Sequence, residues 1–324
     1  MSADGGTKAV VAALLANSGI AVTKFIAFFL SGSTSMLAEA VHSVADATNQ
    51  VLLLVGKRHA MREADEEHPF GYGRSRYVYA FVVAIILFSV GGVFAVYEGI
   101  EKLRHPHPLD PDWWWLPFVV LVVAIVLESF SLRTAIIESN RARGRRGWVE
   151  FVRRAKSPEL PVILLEDIAA LLGLVLALIG VGLTQLTGNG LWDGLGTLAI
   201  GALLIAVAVI LGNEMGSLLV GEGANRDDLA RIRTANARHP EVDRIIHIKT
   251  LYVGPEELMV GAKVAVAGRR TLAELAPRID AIEQDIRAVV PAARIIYIEP
   301  DVWRPSPSTD PDPPTDAIIL QSEN

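Results

Sequence analysis

The 324-residue sequence contains no cysteine, which excludes disulfide bonds, thiolate zinc sites, iron–sulfur clusters and cysteine catalysis. Charge is also scarce, since 20% of the residues are charged against about 25% in ordinary soluble domains. The formal net charge of −6 offers no basic surface for DNA or RNA, so no nucleic-acid partner is expected. The sequence also lacks a nucleophile–base pair, a phosphate-binding loop and a cofactor fingerprint, which argues against an enzyme and against a prosthetic group. Any transition metal must therefore bind to His, Asp, Glu or backbone oxygen.

Apolar residues are abundant, at 51% of the chain, and they are concentrated in blocks about as long as a bilayer's hydrocarbon core is thick. This pattern excludes a soluble enzyme and a disordered chain. It predicts an α-helical membrane protein embedded in the lipid bilayer, with a membrane domain at 9–215 after a short N-terminus at 1–8. Six transmembrane helices are expected, at 9–30, 35–56, 77–98, 113–136, 161–183 and 192–214.

Lysine and arginine in the connecting loops predict the orientation of the chain. The loops after the second and fourth spans are rich in these residues, whereas the loop at 184–191 has none. Because basic loops stay on the cytoplasmic side, both termini are expected there. The Arg- and Ala-rich composition reads as bacterial, so we expect a multi-pass protein of the inner membrane.

The composition changes from about Gly216, where the sequence predicts a small cytoplasmic α+β domain at 216–300. The predicted order is α-β-β-α-β. Its helices are expected at 225–238 and 271–290, and its strands at 245–252, 258–266 and 294–298. The remaining tail, 301–324, is rich in proline and aspartate and is predicted to be disordered.

Ionisable side chains lie inside two of the predicted spans, where each costs about 2.5–3.5 kcal/mol on the insertion scale. His42 and Asp46 are four residues apart, so they project from one helix face, and Asn49 follows one turn later. An imidazole nitrogen and a carboxylate oxygen supply half of a tetrahedral metal site. Glu166 and Asp167 are adjacent and point about 100° apart, which suits one ligand and one group paired elsewhere.

Packing hydrogen bonds are the alternative explanation for any one of these polar residues. The group as a whole favours a cation site instead, for a divalent metal or a proton. Lys24 is expected either to reach the membrane surface or to pair with a carboxylate. Glu128 is expected either to form a structural ion pair or to lie on the ion path. Glu39 is expected to be either a charge at the entrance of that path or a residue at the membrane interface.

Three segments carry a resemblance to a known family. Residues Ser31–Asp46 (SGSTSMLAEAVHSVAD) resemble the second-helix signature of the cation diffusion facilitators. Asp65–Arg74 (DEEHPFGYGR) resembles that family's loop before the third helix, and Tyr97–Leu103 (YEGIEKL) fits as well. The similarity covers about 8–300.

Two further segments indicate a branch of that family. Leu165–Ala170 (LEDIAA) and Gly188–Gly194 (GNGLWDG) are most similar to the branch that contains the mitochondrial-type zinc transporter and its bacterial relatives. The resemblance implies a homodimeric antiporter of divalent metal and protons, with a metallochaperone-like cytoplasmic domain.

The resemblance also implies a ligand set. In the family, two side chains of the second helix and two of the fifth bind the metal, and these positions match His42, Asp46 and Asp167. The partner four residues before Asp167 is Ile163, which cannot bind a metal. Either Glu166 is the fourth ligand, or a water or Asn49 completes the shell. One nitrogen with carboxylate oxygens suits Zn²⁺ first and also admits Mn²⁺, Co²⁺ or Fe²⁺.

At two other metal sites of the family, this sequence lacks some of the ligands. Asp65 and His68 match its loop site, but Tyr72 stands where the last histidine belongs. In the α+β domain, His247 and Glu299 match ligand positions, whereas two other positions lack the histidines of relatives. The sequence therefore predicts weak metal binding at both places.

Two functions follow as expectations. The first is proton-driven metal efflux by alternating access, in which metal enters near the acidic stretch at 65–67 and competes with protons for the ligands. The second is a non-transporting membrane module that regulates or senses metal, or pairs with an active relative, because the position of Ile163 lacks a ligand.

Overall fold

The computed structural model describes residues 3–31, 34–106, 112–268 and 270–303, and the chain divides into two compact units. The first contains the residues up to Glu222 together with Tyr252–Glu256. The second contains 223–251 and the residues from Glu257 onwards. The predicted disordered tail lies outside the described residues from position 304.

The first unit is helical. Its helices are α1 (Ala3–Ser31), α2 (Thr34–Ala60), α3 (Ser75–Ile86), α4 (Phe94–Arg104), α5 (Leu116–Arg143), α6 (Trp148–Arg154), α7 (Glu159–Thr187) and α8 (Leu191–Val220). A π-helical segment, Leu87–Val93, joins α3 to α4 without a break. α1 packs against α2, α5 and α7, while α8 packs against α3, α4 and α7.

Five helical stretches among the described residues are long and apolar enough to cross a membrane. They are Gly6–Leu30, Ser75–Arg104, Leu116–Arg143, Glu159–Thr187 and Leu191–Val220. These stretches confirm the first, third, fourth, fifth and sixth predicted spans. α2 has the length of a span, at 27 residues, but polar side chains on it lower its mean hydropathy. Its passage through the membrane stays a prediction.

Small residues allow two neighbouring helical stretches to approach closely. Gly92 and Gly99 lie two turns apart and face α8, on which Gly194 and Gly201 have the same spacing. A Cβ atom on Gly99 would lie 2.8 Å from the backbone nitrogen of Leu198, and one on Gly201 would lie 2.8 Å from that of Val96. Because backbone atoms cannot move aside as side-chain ends do, this packing requires glycine.

Gly99→Ala and Gly201→Ala are each expected to destabilise the first unit by about 1–3 kcal/mol, the usual cost of overpacking a close contact. Thermal unfolding of the purified protein measures the effect. Gly212→Ala is the matched control, because a Cβ there meets nothing within 4 Å. Equal unfolding temperatures for all three variants would contradict the role given to Gly99 and Gly201.

The second unit has the expected order α-β-β-α-β: α9 (Arg226–Ala237), β1 (Val242–Gly254), β2 (Glu257–Val266), α10 (Leu272–Val289) and β3 (Ala293–Asp301). α9 begins at Asn225, whose side chain accepts a hydrogen bond from the backbone N–H of Asp228 at 2.8 Å. α10 begins at Thr271, which forms a capping box with Glu274.

The three strands of this unit lie in the order β1-β2-β3. Two residues connect β1 to β2, and so short a turn requires the two paired strands to be antiparallel. β2 and β3 are parallel, with Lys263 opposite Glu299, and α10 lies in the connection between them. His247 on β1 and Glu299 on β3 are therefore on the two edge strands.

Candidate functional site

One face of α2 carries a run of polar side chains. His42 and Asp46 are one turn apart, with 3.8 Å between His42 Nε2 and Asp46 Oδ2, and their side chains are 26% and 28% exposed. Asn49 and Gln50 follow on the next turn and are buried, at 1% and 0% exposure. The predicted His-Asp pair is thus formed on one helix face, next to two buried amides.

The π-helical segment Leu87–Val93 lies beside the imidazole of His42. A Cβ atom added to Gly91 of this segment would be 3.9 Å from His42 Cε1. π-helical turns inside α-helices occur frequently at functional sites. This one is therefore placed where it shapes the surroundings of a predicted ligand.

Glu166 of α7 is held by amides from α2. Its Oε1 accepts a hydrogen bond from Asn49 Nδ2 at 3.1 Å, and its Oε2 accepts one from Gln50 Nε2 at 3.0 Å. Gln50 Oε1 in turn accepts a bond from Asn17 Nδ2 of α1 at 3.2 Å. A buried chain of hydrogen bonds thus connects three helices.

Asp167 faces α5 instead. Its Oδ2 accepts a hydrogen bond from Ser131 Oγ at 2.7 Å, and it is also hydrogen-bonded to Glu128. Both carboxyl groups are buried. The structure pairs Glu128 with Asp167, which places it beside a predicted ligand.

The carboxyl groups of Asp46, Glu128, Glu166 and Asp167 are near enough to interact electrostatically. In the part of the chain that the structure describes, however, no three His, Asp or Glu side chains converge to hold an ion. His42, Asp46 and Asp167 are therefore not brought together as one ligand set. The reason is local: adjacent residues on a helix diverge, so Glu166 is bound by α2 and Asp167 by α5.

Sequence reasoning included Asn49 but did not include three other uncharged members of this cluster, namely Asn17, Gln50 and Ser131. Each is a polar residue inside an apolar segment, and Gln50 also lies four residues after Asp46, on the same side of α2. Attention to buried amides and hydroxyls, beside the charged residues, would have found them.

A second group of charged side chains lies on α1, α2, α4 and α8. Lys24 Nζ is 3.2 Å from Glu39 Oε2, which answers the open question about Lys24 in favour of a carboxylate partner. Lys102 Nζ lies 3.2 Å from Glu98 and 3.1 Å from Asp193. These pairs connect α1 to α2 and α4 to α8.

The loop candidate Asp65 is hydrogen-bonded to His68 and to Tyr72, and the His68 ring lies against the Tyr72 ring. Asp65 accepts a hydrogen bond from the backbone N–H of His68 at 2.7 Å on one oxygen and from the Tyr72 hydroxyl at 2.6 Å on the other. These bonds, that of Tyr72 foremost, lower the pKa of Asp65. Tyr72 thus donates a bond at the position where the family has a histidine.

Tyr72→Phe is expected to raise the pKa of Asp65 towards its ordinary value of about 3.9, because the strongest donor to the carboxylate is removed. Because the pKa of Asp65 is lower in the folded protein, its hydrogen bonds stabilise the ordered loop at any pH above the ordinary pKa of aspartate. This stabilisation is lost as the pH falls through the lowered pKa of Asp65. A carboxyl-carbon NMR titration measures the shift, with Tyr79→Phe as the matched control. An unchanged titration in Tyr72→Phe would contradict the assignment.

In the second unit, the candidate Glu299 is paired with a lysine. Lys263 Nζ lies 3.1 Å from Glu299 and 3.0 Å from Asp301, and these two carboxylates, Asp301 first, raise the pKa of the Lys263 ammonium. Since β2 separates the strands that carry His247 and Glu299, the geometry gives no support for a shared metal site.

Comparison with known proteins gives a family match over most of the first unit. The profile of the cation efflux transmembrane domain matches residues 10–220. The Xenopus laevis protein named "Proton-coupled zinc antiporter SLC30A9, mitochondrial" is 34% identical over 290 residues, 88% of this chain and 51% of that protein. Its human counterpart is 32% identical over 267 residues, 82% of this chain and 47% of that protein.

This chain therefore spans about half the length of these curated relatives. A more distant relative, "Cation-efflux pump FieF" of Yersinia enterocolitica, is 26% identical over 307 residues, 90% of this chain and 96% of that protein. A solved structure of the C-terminal domain of MamM covers 25% of this chain and all of that domain, at 18% identity and a TM-score of 0.23.

Proposed function

The chain belongs to the cation efflux family, and from this premise we propose that it exports divalent metal cations in exchange for protons. It is a multi-pass membrane transporter and not an enzyme. Zinc is the proposed first substrate, because the relatives at 32–34% identity are named proton-coupled zinc antiporters. Mn²⁺, Co²⁺ and Fe²⁺ are the proposed alternatives, since one imidazole with carboxylates also suits them.

The observation that supports this proposal is the His42–Asp46 pair on α2 together with Glu166 of α7, which is hydrogen-bonded to the same helix. Imidazole nitrogen and carboxylate oxygen are ordinary ligands of Zn²⁺. Glu166 is bonded to α2 at 3.1 and 3.0 Å, so side chains already bridge the two helices. In the proposed metal-bound state, the Asp167 carboxylate leaves Ser131 and joins the His42–Asp46 pair.

Proton coupling follows from the same ligands. A metal ion binds to neutral histidine and ionised carboxylate, so protons and metal compete for one site. Alternating access would then allow protons taken up from outside to displace the metal there. The proposed arrangement has six membrane helices with α2 included, both termini and a metallochaperone-like second unit in the cytoplasm, two copies of the chain, and the bacterial inner membrane as its location.

Metal uptake into proteoliposomes that contain only this protein tests the proposal. Zn²⁺, Mn²⁺, Co²⁺ and Fe²⁺ are compared side by side with a fluorescent indicator inside the vesicles. We expect saturable uptake above that of empty liposomes, fastest for Zn²⁺. No flux of any metal through intact, correctly folded protein would overturn the proposal.

A second candidate function is a membrane module that regulates or senses metal without transporting it, or that pairs with an active relative. Ile163 favours it, because this residue stands at a ligand position of the family and is fully buried in the apolar core. Metal binding without flux in the purified protein would favour this function.

A further inference from the structure

We propose that the side-chain oxygen of Asn49 is the fourth ligand of the transported cation, and that Glu166, Gln50 and Asn17 are positioning residues that orient it. The inference rests on the proposed function, since it concerns the same site. It identifies the group that replaces the ligand missing at Ile163.

The first observation is an unpaired oxygen. Asn49 is buried, and its Nδ2 donates to Glu166 Oε1 at 3.1 Å. Its Oδ1 is inaccessible and has no hydrogen-bond partner among the described residues. A buried carbonyl oxygen without a donor costs free energy, so native structures nearly always satisfy it. A cation bound between α2 and α7 would satisfy it.

The second observation fixes the orientation of the amide. An ionised carboxylate only accepts hydrogen bonds, so both amides that contact Glu166 must turn their NH₂ groups towards it. The Asn49 oxygen then points away from Glu166. The Gln50 oxygen points away too, and it accepts the bond from Asn17 Nδ2 at 3.2 Å. Glu166 thus sets the orientation of Asn49, and Asn17 supports it through Gln50.

The third observation is helix periodicity. Asn49 is three residues after Asp46 and seven after His42, and such spacings bring side chains to one face of an α-helix. The Asn49 oxygen therefore projects from the face that carries both predicted ligands of α2. With Asp167 from α7, the set is one nitrogen and three oxygens.

Charge favours Asn49 over Glu166 as the fourth ligand. Asp46 and Asp167 together balance a divalent cation, and the neutral amide leaves that balance intact. Glu166 would have to give up two hydrogen bonds, at 3.1 and 3.0 Å, in order to bind metal. An oxygen-rich set of this kind also admits Mn²⁺ more readily than a site with two histidines.

The test compares the KM for zinc uptake in proteoliposomes with X-ray absorption of zinc bound to the purified protein. Asn49→Leu has nearly the same volume but no oxygen. We expect it to raise the KM about tenfold or more and to change the zinc coordination shell. Asn49→Gln keeps a neutral amide that can offer an oxygen to the cation, and it is expected to raise the KM less than Asn49→Leu does. Thr48→Val, on the exposed side of α2, is the matched control.

Glu166→Gln tests whether Glu166 is a positioning residue or a ligand. A glutamine there can donate to Asn49 Oδ1 and reverse that amide, so we expect a raised KM with the coordination shell of Asn49→Leu. The double variant should then be no worse than Asn49→Leu alone, because both changes remove the same ligand. Additive effects would make Glu166 an independent ligand and overturn the inference.

The outcomes are distinct from failure of the proposed function. Absence of zinc flux in the unmodified protein contradicts the function itself. Flux with an unchanged KM and coordination shell in Asn49→Leu contradicts only the inference. Should Asn49→Leu not fold, Asn49→Ala decides, because it also removes the oxygen, and an unchanged KM and coordination shell in that variant would contradict the inference.

Discussion

Asp46→Asn is expected to reduce zinc flux at least about 100-fold, to the level of empty liposomes. Asp46 lies 3.8 Å from His42. In the proposed site it supplies one of the two carboxylates that balance the charge of the cation. The asparagine has the same shape but removes that charge and a strong oxygen ligand. The fold should persist, because Asp46 is only partly buried and the substitution preserves volume.

Asp167→Asn is the companion variant on α7. An asparagine there can still accept the bond from Ser131 and can donate to Glu128, so folding is expected to be normal while flux is lost. Glu63→Gln in the exposed loop is the matched control for removal of a carboxylate, and it should transport normally. Flux above one tenth of the unmodified rate in Asp46→Asn would contradict a direct ligand role.

The second large effect concerns a buried ion pair. Arg76, at the start of α3, donates two hydrogen bonds to the carboxylate of Glu159, at the start of α7, with 2.7 Å between Nη2 and Oε2. Their side chains are 14% and 4% exposed. Glu159→Ala leaves the guanidinium buried without its partner and is expected to cost about 3–5 kcal/mol of stability.

Thermal and denaturant unfolding of the purified protein measure this loss. The exposed pair of Arg154 and Glu150, at 2.9 Å, supplies the control, because Glu150→Ala should change stability by no more than about 1 kcal/mol. The double variant Arg76→Leu with Glu159→Leu should recover much of the loss, since no unpaired charge stays buried. Equal effects of Glu159→Ala and Glu150→Ala would contradict the assignment.

Hydropathy predicted most of the helices because length and apolar composition are local properties of the sequence. Five spanning helices match that prediction. α2 is the exception, because its polar side chains lower its mean hydropathy below that of α1, α3, α5, α7 and α8. The α-β-β-α-β order of the second unit could be predicted equally well from the sequence, since Asn225 and Thr271 are recognisable N-caps.

The candidate site was only partly predictable. The spacing of His42 and Asp46 places them together because both belong to one helix. The partners of Glu166 were hidden, because Gln50 is 116 positions away in the sequence and the contact depends on how α2 and α7 are placed. Likewise, no local pattern indicates that Asp167 faces Ser131 and Glu128.

The substitution at the loop site illustrates the same limit. The resemblance implies that Tyr72 stands at the position of a histidine, which predicts a weaker metal site. The structure adds that its hydroxyl donates to Asp65 at 2.6 Å, so the residue has a structural bond of its own. The motif alone does not predict this bond, because it depends on how the loop folds.

The most direct test of proton-coupled metal transport is the pH inside proteoliposomes when zinc is added outside. Each zinc ion that enters must displace protons outwards, so a pH-sensitive dye inside should report a rise that is proportional to the zinc taken up. Asp46→Asn liposomes should show neither signal. Zinc entry through the unmodified protein without any change of internal pH would contradict proton exchange at this site.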